Sequence, residues 1–95
     1  MKVVFTGEKV QSIMWEKVVA GVDSPPLKCD SNLPVAVQVN GEFGKAYLEG
    51  SCDGIDFDPI VIFSMQGTKK VEFAPLWIRP SVSDGEATIT VVLRR

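Results

Sequence analysis

A chain of 95 residues with ten basic and twelve acidic side chains, net charge −2, has room for one domain over residues 1–95 and no second. It contains no histidine, which excludes His-dependent triads, imidazole acid–base catalysis and His-ligated metal centres. The basic residues form no stripe, only the pairs Lys69-Lys70 and Arg94-Arg95, which argues against nucleic acid as a partner.

Hydrophobic residues make up 45% of the chain and the mean hydropathy is +0.15. A domain this small exposes much of its surface. The apolar content therefore has two readings, a well-filled β core or a face covered by another chain. No stretch approaches the roughly 20 apolar residues of a membrane-spanning helix. The start of the chain lacks the apolar length of a signal peptide, so a protein made in the cytoplasm and not anchored in a membrane is expected. Cys29 and Cys52 are far apart and belong to no Cys-x-x-Cys pair. A disulfide between them cannot be read from sequence.

In chain order, Val3 to Phe5 is a short extended run, either a first strand or an arm that pairs with a neighbouring subunit. Val10 to Val19 could be a helix, which Glu16 and Lys17 tolerate, but its β-branched residues favour a strand, with Ile13, Trp15 and Val19 on one face and Val10, Met14 and Val18 on the other. The segment from Asp23 to Pro34, stiffened by Pro25 and Pro26, reads as a loop. Val35, Val37 and Val39 alternate with Ala36, Gln38 and Asn40, the period of a half-buried strand. Asn40-Gly41 signals a hairpin, Ala46 and Leu48 resume the apolar face, and Gly50 to Gly54 is a second turn, so an antiparallel meander is expected. Ile60 to Met65 is apolar on both faces, as in a strand covered on both sides. Val71 and Phe73 mark a further strand. In the next run Leu76, Ile78 and Val82 share a face, and Pro80 points to an edge or a bulge. Ser83 to Glu86 is a turn, after which Ala87, Ile89, Val91 and Leu93 alternate with Thr88, Thr90 and Val92. About eight strands with frequent turns and no helix predict an all-β, single-domain antiparallel β-sandwich, jelly-roll-like.

The chemistry-bearing candidates are few. Cys52 sits between Ser51 and Asp53 in a turn, with nothing nearby in sequence to take its proton, and reads as a surface thiol. Asp53, Asp56 and Asp58 lie close together, but their spacing is not that of a calcium loop. Turn and strand-flank carboxylates are the simpler reading. Trp15, Tyr47, Phe57 and Trp77 are candidates for a sugar-stacking platform, although rings at alternating strand positions are more often core or interface residues. No catalytic residue, metal site or cofactor is expected.

Two blocks carry a resemblance: Val37-Gln38-Val39-Asn40-Gly41-Glu42-Phe43-Gly44, running into Tyr47-Leu48-Glu49-Gly50-Ser51-Cys52-Asp53-Gly54 and Phe57, and later Trp77-Ile78-Arg79-Pro80-Ser81-Val82. Together with Trp15 to Asp23 they resemble a family of small tailed-bacteriophage virion proteins over most of the chain. Cys52 stands where that family usually has Asn, Phe57 where it has Trp, and Leu76 where an Arg precedes the aromatic. The Gly-Ser-x-Asp-Gly turn is also similar to one in discoidin-like jelly-roll modules. The resemblance implies a non-enzymatic structural component of the virion, a capsid decoration or cement protein on the outside of the shell. Such proteins are often trimers, so the implied partners are the major capsid protein and two further copies in a homotrimer, with no nucleic acid and no membrane. Val3, Val4, Phe5, Trp15 and Trp77 are the expected partner-binding residues. A head–tail or tail-tube component is a variant within the same class. The alternative is a carbohydrate-binding β-sandwich module of a tail fibre or cell-surface protein, with aromatics exposed on a concave face.

Overall fold

In a computed structural model that describes residues 1–8, 10–29, 35–72 and 75–94, the chain forms nine strands and, among the described residues, no helix. They are β1 (Lys2–Thr6), β2 (Val10–Val19), β3 (Leu27–Lys28), β4 (Val35–Phe43), β5 (Ala46–Ser51), β6 (Asp58–Phe63), β7 (Gly67–Val71), β8 (Trp77–Val82) and β9 (Gly85–Arg94). Five strands make one sheet in the order β1-β2-β9-β4-β7, and four make the other in the order β3-β8-β5-β6. Every pairing is antiparallel. The protein is a β-sandwich.

Period-two alternation builds the core. Ile13, Val91 and Val37 lie in one row across the larger sheet, and Trp15, Ile89 and Val39 in the next. All six are buried, and they meet Ala46, Leu48, Phe63, Ile78 and Val82 from the smaller sheet. Closing two such faces on each other removes apolar surface from water at roughly 25 cal/mol per Å².

β2 departs from strict alternation. Between Trp15 and Val18 it advances three residues while β9 advances two, which is a β-bulge, and Lys17 adopts a left-handed φ of 54° within it. The extra residue turns Val18 inward beside Trp15 and moves Val19 off the core face. That reverses the expected facing of Val18 and Val19.

Asn40-Gly41 is not a hairpin. β4 runs through it and pairs with β9 as far as Phe43, so β4 and β5 lie in different sheets and the expected meander does not form there. The glycine serves close approach instead: a Cβ on Gly41 would stand 2.5 Å from the Glu86 carbonyl oxygen. The second expected turn does join a hairpin, β5 to β6. The two connections between sheets at this end clamp each other. The Gly44 amide donates to Asp84 Oδ1 (2.5 Å), the Lys45 amide to Ser83 Oγ (2.9 Å), and the Ser83 amide to the Lys45 carbonyl (2.9 Å).

The proline-rich loop contains the short strand β3, which covers only Trp77 and Ile78 of β8. β8 is therefore an edge at Pro80, where sheets tolerate proline. Leu76 lies outside the core at 43% exposure, unlike Ile78 and Val82. Residues 30–34 of the predicted loop and Phe73 of the predicted strand lie outside the described residues.

Candidate interaction surface

β1 is the outermost strand of the larger sheet, so one side of its backbone faces no strand among the described residues. Val3, Val4 and Phe5 are 55%, 49% and 55% exposed. Val3 pairs with buried Ile13 and shares its row, yet is itself more than half exposed. The register shifts between Val3 and Phe5, leaving Val4 without a rung to β2. Lys2 reaches Glu16 at 3.4 Å across the surface, an exposed pair worth little.

Among the described residues the other three sheet edges are guarded as well, and β1 differs from them in exposing three consecutive apolar residues despite its own Lys2 and its bulge at Val4. Unpaired strand edges recruit foreign strands, and proteins block them with short strands, prolines and charges that point inward. β3 has two residues. β7 carries Lys69 and Lys70, with Lys69 in the row of Val37 and Val91, the core-facing side. From there the Lys69 ammonium donates to the Ile62 carbonyl of β6 (2.6 Å) and stands 5.1 Å from the Phe63 ring centroid, so a single side chain blocks two neighbouring edges. β6 adds Pro59 at its second position and a bulge opposite Leu48 and Glu49. Lys69, which as part of a Lys-Lys pair reads as merely solvated, is the guard that sequence reasoning missed. An inward register position on an edge strand was the signal.

β6 also corrects an expectation. It is an edge strand, and Ile60 and Ile62 are 37% and 46% exposed, so it is not covered on both sides.

The aromatic residues divide. Trp15 is 2% exposed in the core, where its indole N–H donates to the Pro25 carbonyl (2.9 Å) and pins the proline loop. A residue so placed is out of a partner's reach, which removes it from the expected binding set. Trp77 is half-buried on the outer face of the smaller sheet, against the turn at Gly54, where an added Cβ would lie 3.1 Å from the indole nitrogen. On the same face the Arg79 guanidinium lies 4.1 Å from the Phe57 ring centroid while its Nε donates to Glu49 at 3.1 Å. The Phe57 ring is thus already engaged by a cation, and Trp77 packs on backbone.

The turn at Ser51 to Asp56 is closed on itself. Ser51 Oγ–H donates to Asp53 Oδ1 (2.7 Å) and accepts from the Gly54 amide (2.9 Å), while the Ile55 and Asp56 amides donate to Asp53 Oδ1 at 2.8 and 3.0 Å. The backbone bonds from Ile55 and Asp56, with Ser51 behind them, pull the Asp53 carboxyl from 3.8 to about 2. These donors favour the charged form, so Asp53 stabilises the fold above its unfolded pKa and loses that contribution as pH falls from about 4 toward 2. Asp53→Asn is therefore expected to lower the thermal midpoint at pH 7, by a gap that narrows on acidification and closes near pH 2. Melting curves of both proteins across that range measure it. Cys52 is exposed in this turn and Cys29 is buried in the core, and no disulfide joins them.

Comparison with protein-family models and with curated protein sequences finds no match.

Proposed function

We propose that this chain is a non-enzymatic structural protein of a tailed-phage particle, a decoration protein that binds the outer capsid surface and braces the seams between capsid subunits. The observation that supports it is β1. A sheet edge that exposes three consecutive apolar residues, Val3, Val4 and Phe5, is a surface suited to cover by another protein, and strand addition gives it a mode of attachment. The resemblance of the strand and turn blocks to small virion proteins supplies the kind of assembly. A protein that binds only the assembled shell stabilises it by mass action, by about 2.7 kcal/mol per site at a free concentration a hundredfold above Kd. The carbohydrate-binding alternative gains nothing from Phe57 or Trp77, since sugar stacking needs open rings, Phe57 lies under Arg79 and Trp77 rests on the Gly54 turn, which leaves half-buried Tyr47 alone of the four rings.

The test is co-sedimentation of the purified protein with capsid shells of a tailed phage whose genome carries this sequence, compared with unexpanded precursor shells. Saturable binding to expanded shells, with a higher temperature of shell disruption, is the expected result. A protein that ignores shells yet is retained on a polysaccharide column overturns the reading.

A further inference from the structure

We infer that residues 20–29 form a strap that opens as a unit on an otherwise intact sandwich, baring the Cys29 thiol and the outer side of β8 at Trp77 and Ile78. This goes beyond the decoration reading and does not depend on what covers β1.

Three observations carry it. The first is how little of the strap is buried. Residues 20–23, 25, 26 and 28 are exposed, Ser24 and Leu27 are half-buried, and of this stretch only Cys29 is in the core. Every other buried core residue lies on β2, β4, β5, β6, β8 or β9, so the core stays assembled when the strap lifts. Segments with few buried apolar contacts open at a lower free energy than the whole domain.

The second is how the strap is attached. β3 contributes rungs at Leu27–Ile78 and Lys28–Trp77. The Cys29 amide donates to the Leu76 carbonyl (2.7 Å), and the Trp15 indole N–H donates to the Pro25 carbonyl (2.9 Å). These bonds tie the strap to β2, to β8 and to the residue before β8, and β3 is the outermost strand of its sheet. They break without parting any other pair of strands.

The third is mechanical. Gly21 has a φ of +79° and nothing within 4 Å of an added Cβ, which makes it a permissive hinge with open space around it. Pro25 and Pro26 fix φ on consecutive residues, so the chain beyond the hinge is stiff and Pro25, Leu27 and Cys29 leave together. With the strap down, β8 is paired on both sides at Trp77 and Ile78. With it up, one side of β8 becomes an open edge, the kind that another strand can join.

The two cysteines read the motion. No disulfide joins them, Cys52 is exposed and Cys29 is buried. In excess dithiobis(nitrobenzoate), each thiolate attacks the reagent's disulfide, takes up one half and releases the other as a coloured thiolate. Cys52 reacts at once, and Cys29 follows in a slower phase set by the fraction of molecules with the strap open. That phase is expected to outpace global unfolding in the same buffer and to stay nearly flat in low urea, because the opening exposes little surface.

Two variants separate local from global opening. Trp15→Phe removes the N–H that holds Pro25 and speeds the slow phase about fivefold, the factor for one lost hydrogen bond. Val61→Ala trims a side chain packed on the core from β6, at the far edge of the smaller sheet. It lowers the urea midpoint yet leaves the slow phase unchanged. Cys29 labelling that keeps pace with global unfolding and quickens in Val61→Ala overturns the inference, as does a slow phase that Trp15→Phe leaves unchanged.

Discussion

Trp15→Ala is expected to cost about 3–5 kcal/mol, the range for emptying a buried large aromatic site. Trp15 is 2% exposed and sits in the row of Ile89 and Val39, beside the bulge that turns Val18 inward. The void would open where β2, β9 and the facing sheet meet, and β9 beside it is held by rungs on both sides and collapses little. A domain of this size has a total stability of roughly 5–14 kcal/mol, so the substitution removes a large share of it and lowers the melting temperature by well over 10 °C, at roughly 4–8 °C per kcal/mol. Trp15→Phe separates the two contributions. It keeps most of the ring and loses the N–H donor to Pro25. Pro25 stands at the surface, so its carbonyl finds water and the lost bond costs about 1 kcal/mol. Urea unfolding followed by far-UV circular dichroism measures both. A Trp15→Ala cost no greater than that of Trp15→Phe would mean that the indole is not the core residue described.

Much of this fold was legible because alternation and burial agree. β9 is the clearest strand in sequence, and Ala87, Ile89, Val91 and Leu93 are its buried face. β2 has the predicted bounds. What escaped was whatever depends on a partner strand. The bulge at Lys17 shifts the phase of β2 by one residue, and no local pattern announces it. Asn40-Gly41 carries the same glycine that a hairpin would need, but the requirement comes from the Glu86 carbonyl of β9, residues away in the chain. β6 is apolar on both faces whether it is covered by a second layer or lies at an edge, and composition does not separate the two.

The same holds for the interaction surface. Val3, Val4 and Phe5 could be singled out from sequence as a short apolar run. Whether that run was an arm or a strand depended on pairing with β2. Its difference from the other edges is visible only once Lys69 is seen lying across Ile62 and Phe63. Trp15 and Trp77 looked alike as alternating aromatics. Their fates differ because Trp15 lies on the face with Ile13, while Trp77 is one step out of phase with Ile78.

The second large effect is expected at Gly85, where β9 begins. Its φ of +75° lies in the left-handed region, which costs a residue with a Cβ about 1–2 kcal/mol. An added Cβ would also run into the Glu42 carbonyl oxygen and stand 2.8 Å from Phe43 Cα, backbone that cannot step aside. Forced repacking of this kind adds about 1–3 kcal/mol, so Gly85→Ala is expected to cost about 2–5 kcal/mol in urea unfolding. Two other glycines separate the causes. Gly21 has a φ of +79° but nothing within 4 Å of an added Cβ, so Gly21→Ala shows the conformational cost alone, about 1–2 kcal/mol. Gly67 has neither a positive φ nor a neighbour within 4 Å, so Gly67→Ala is neutral or stabilises by up to about 1 kcal/mol through the unfolded chain. The order Gly85, Gly21, Gly67 follows from the approach of β9 to β4 at the end where both sheets are clamped together through Gly44, Lys45, Ser83 and Asp84. If Gly85→Ala cost no more than Gly21→Ala, that approach would not be what holds β4 against β9, and the reason for β4 running straight through Asn40-Gly41 would have to be sought elsewhere in the sheet.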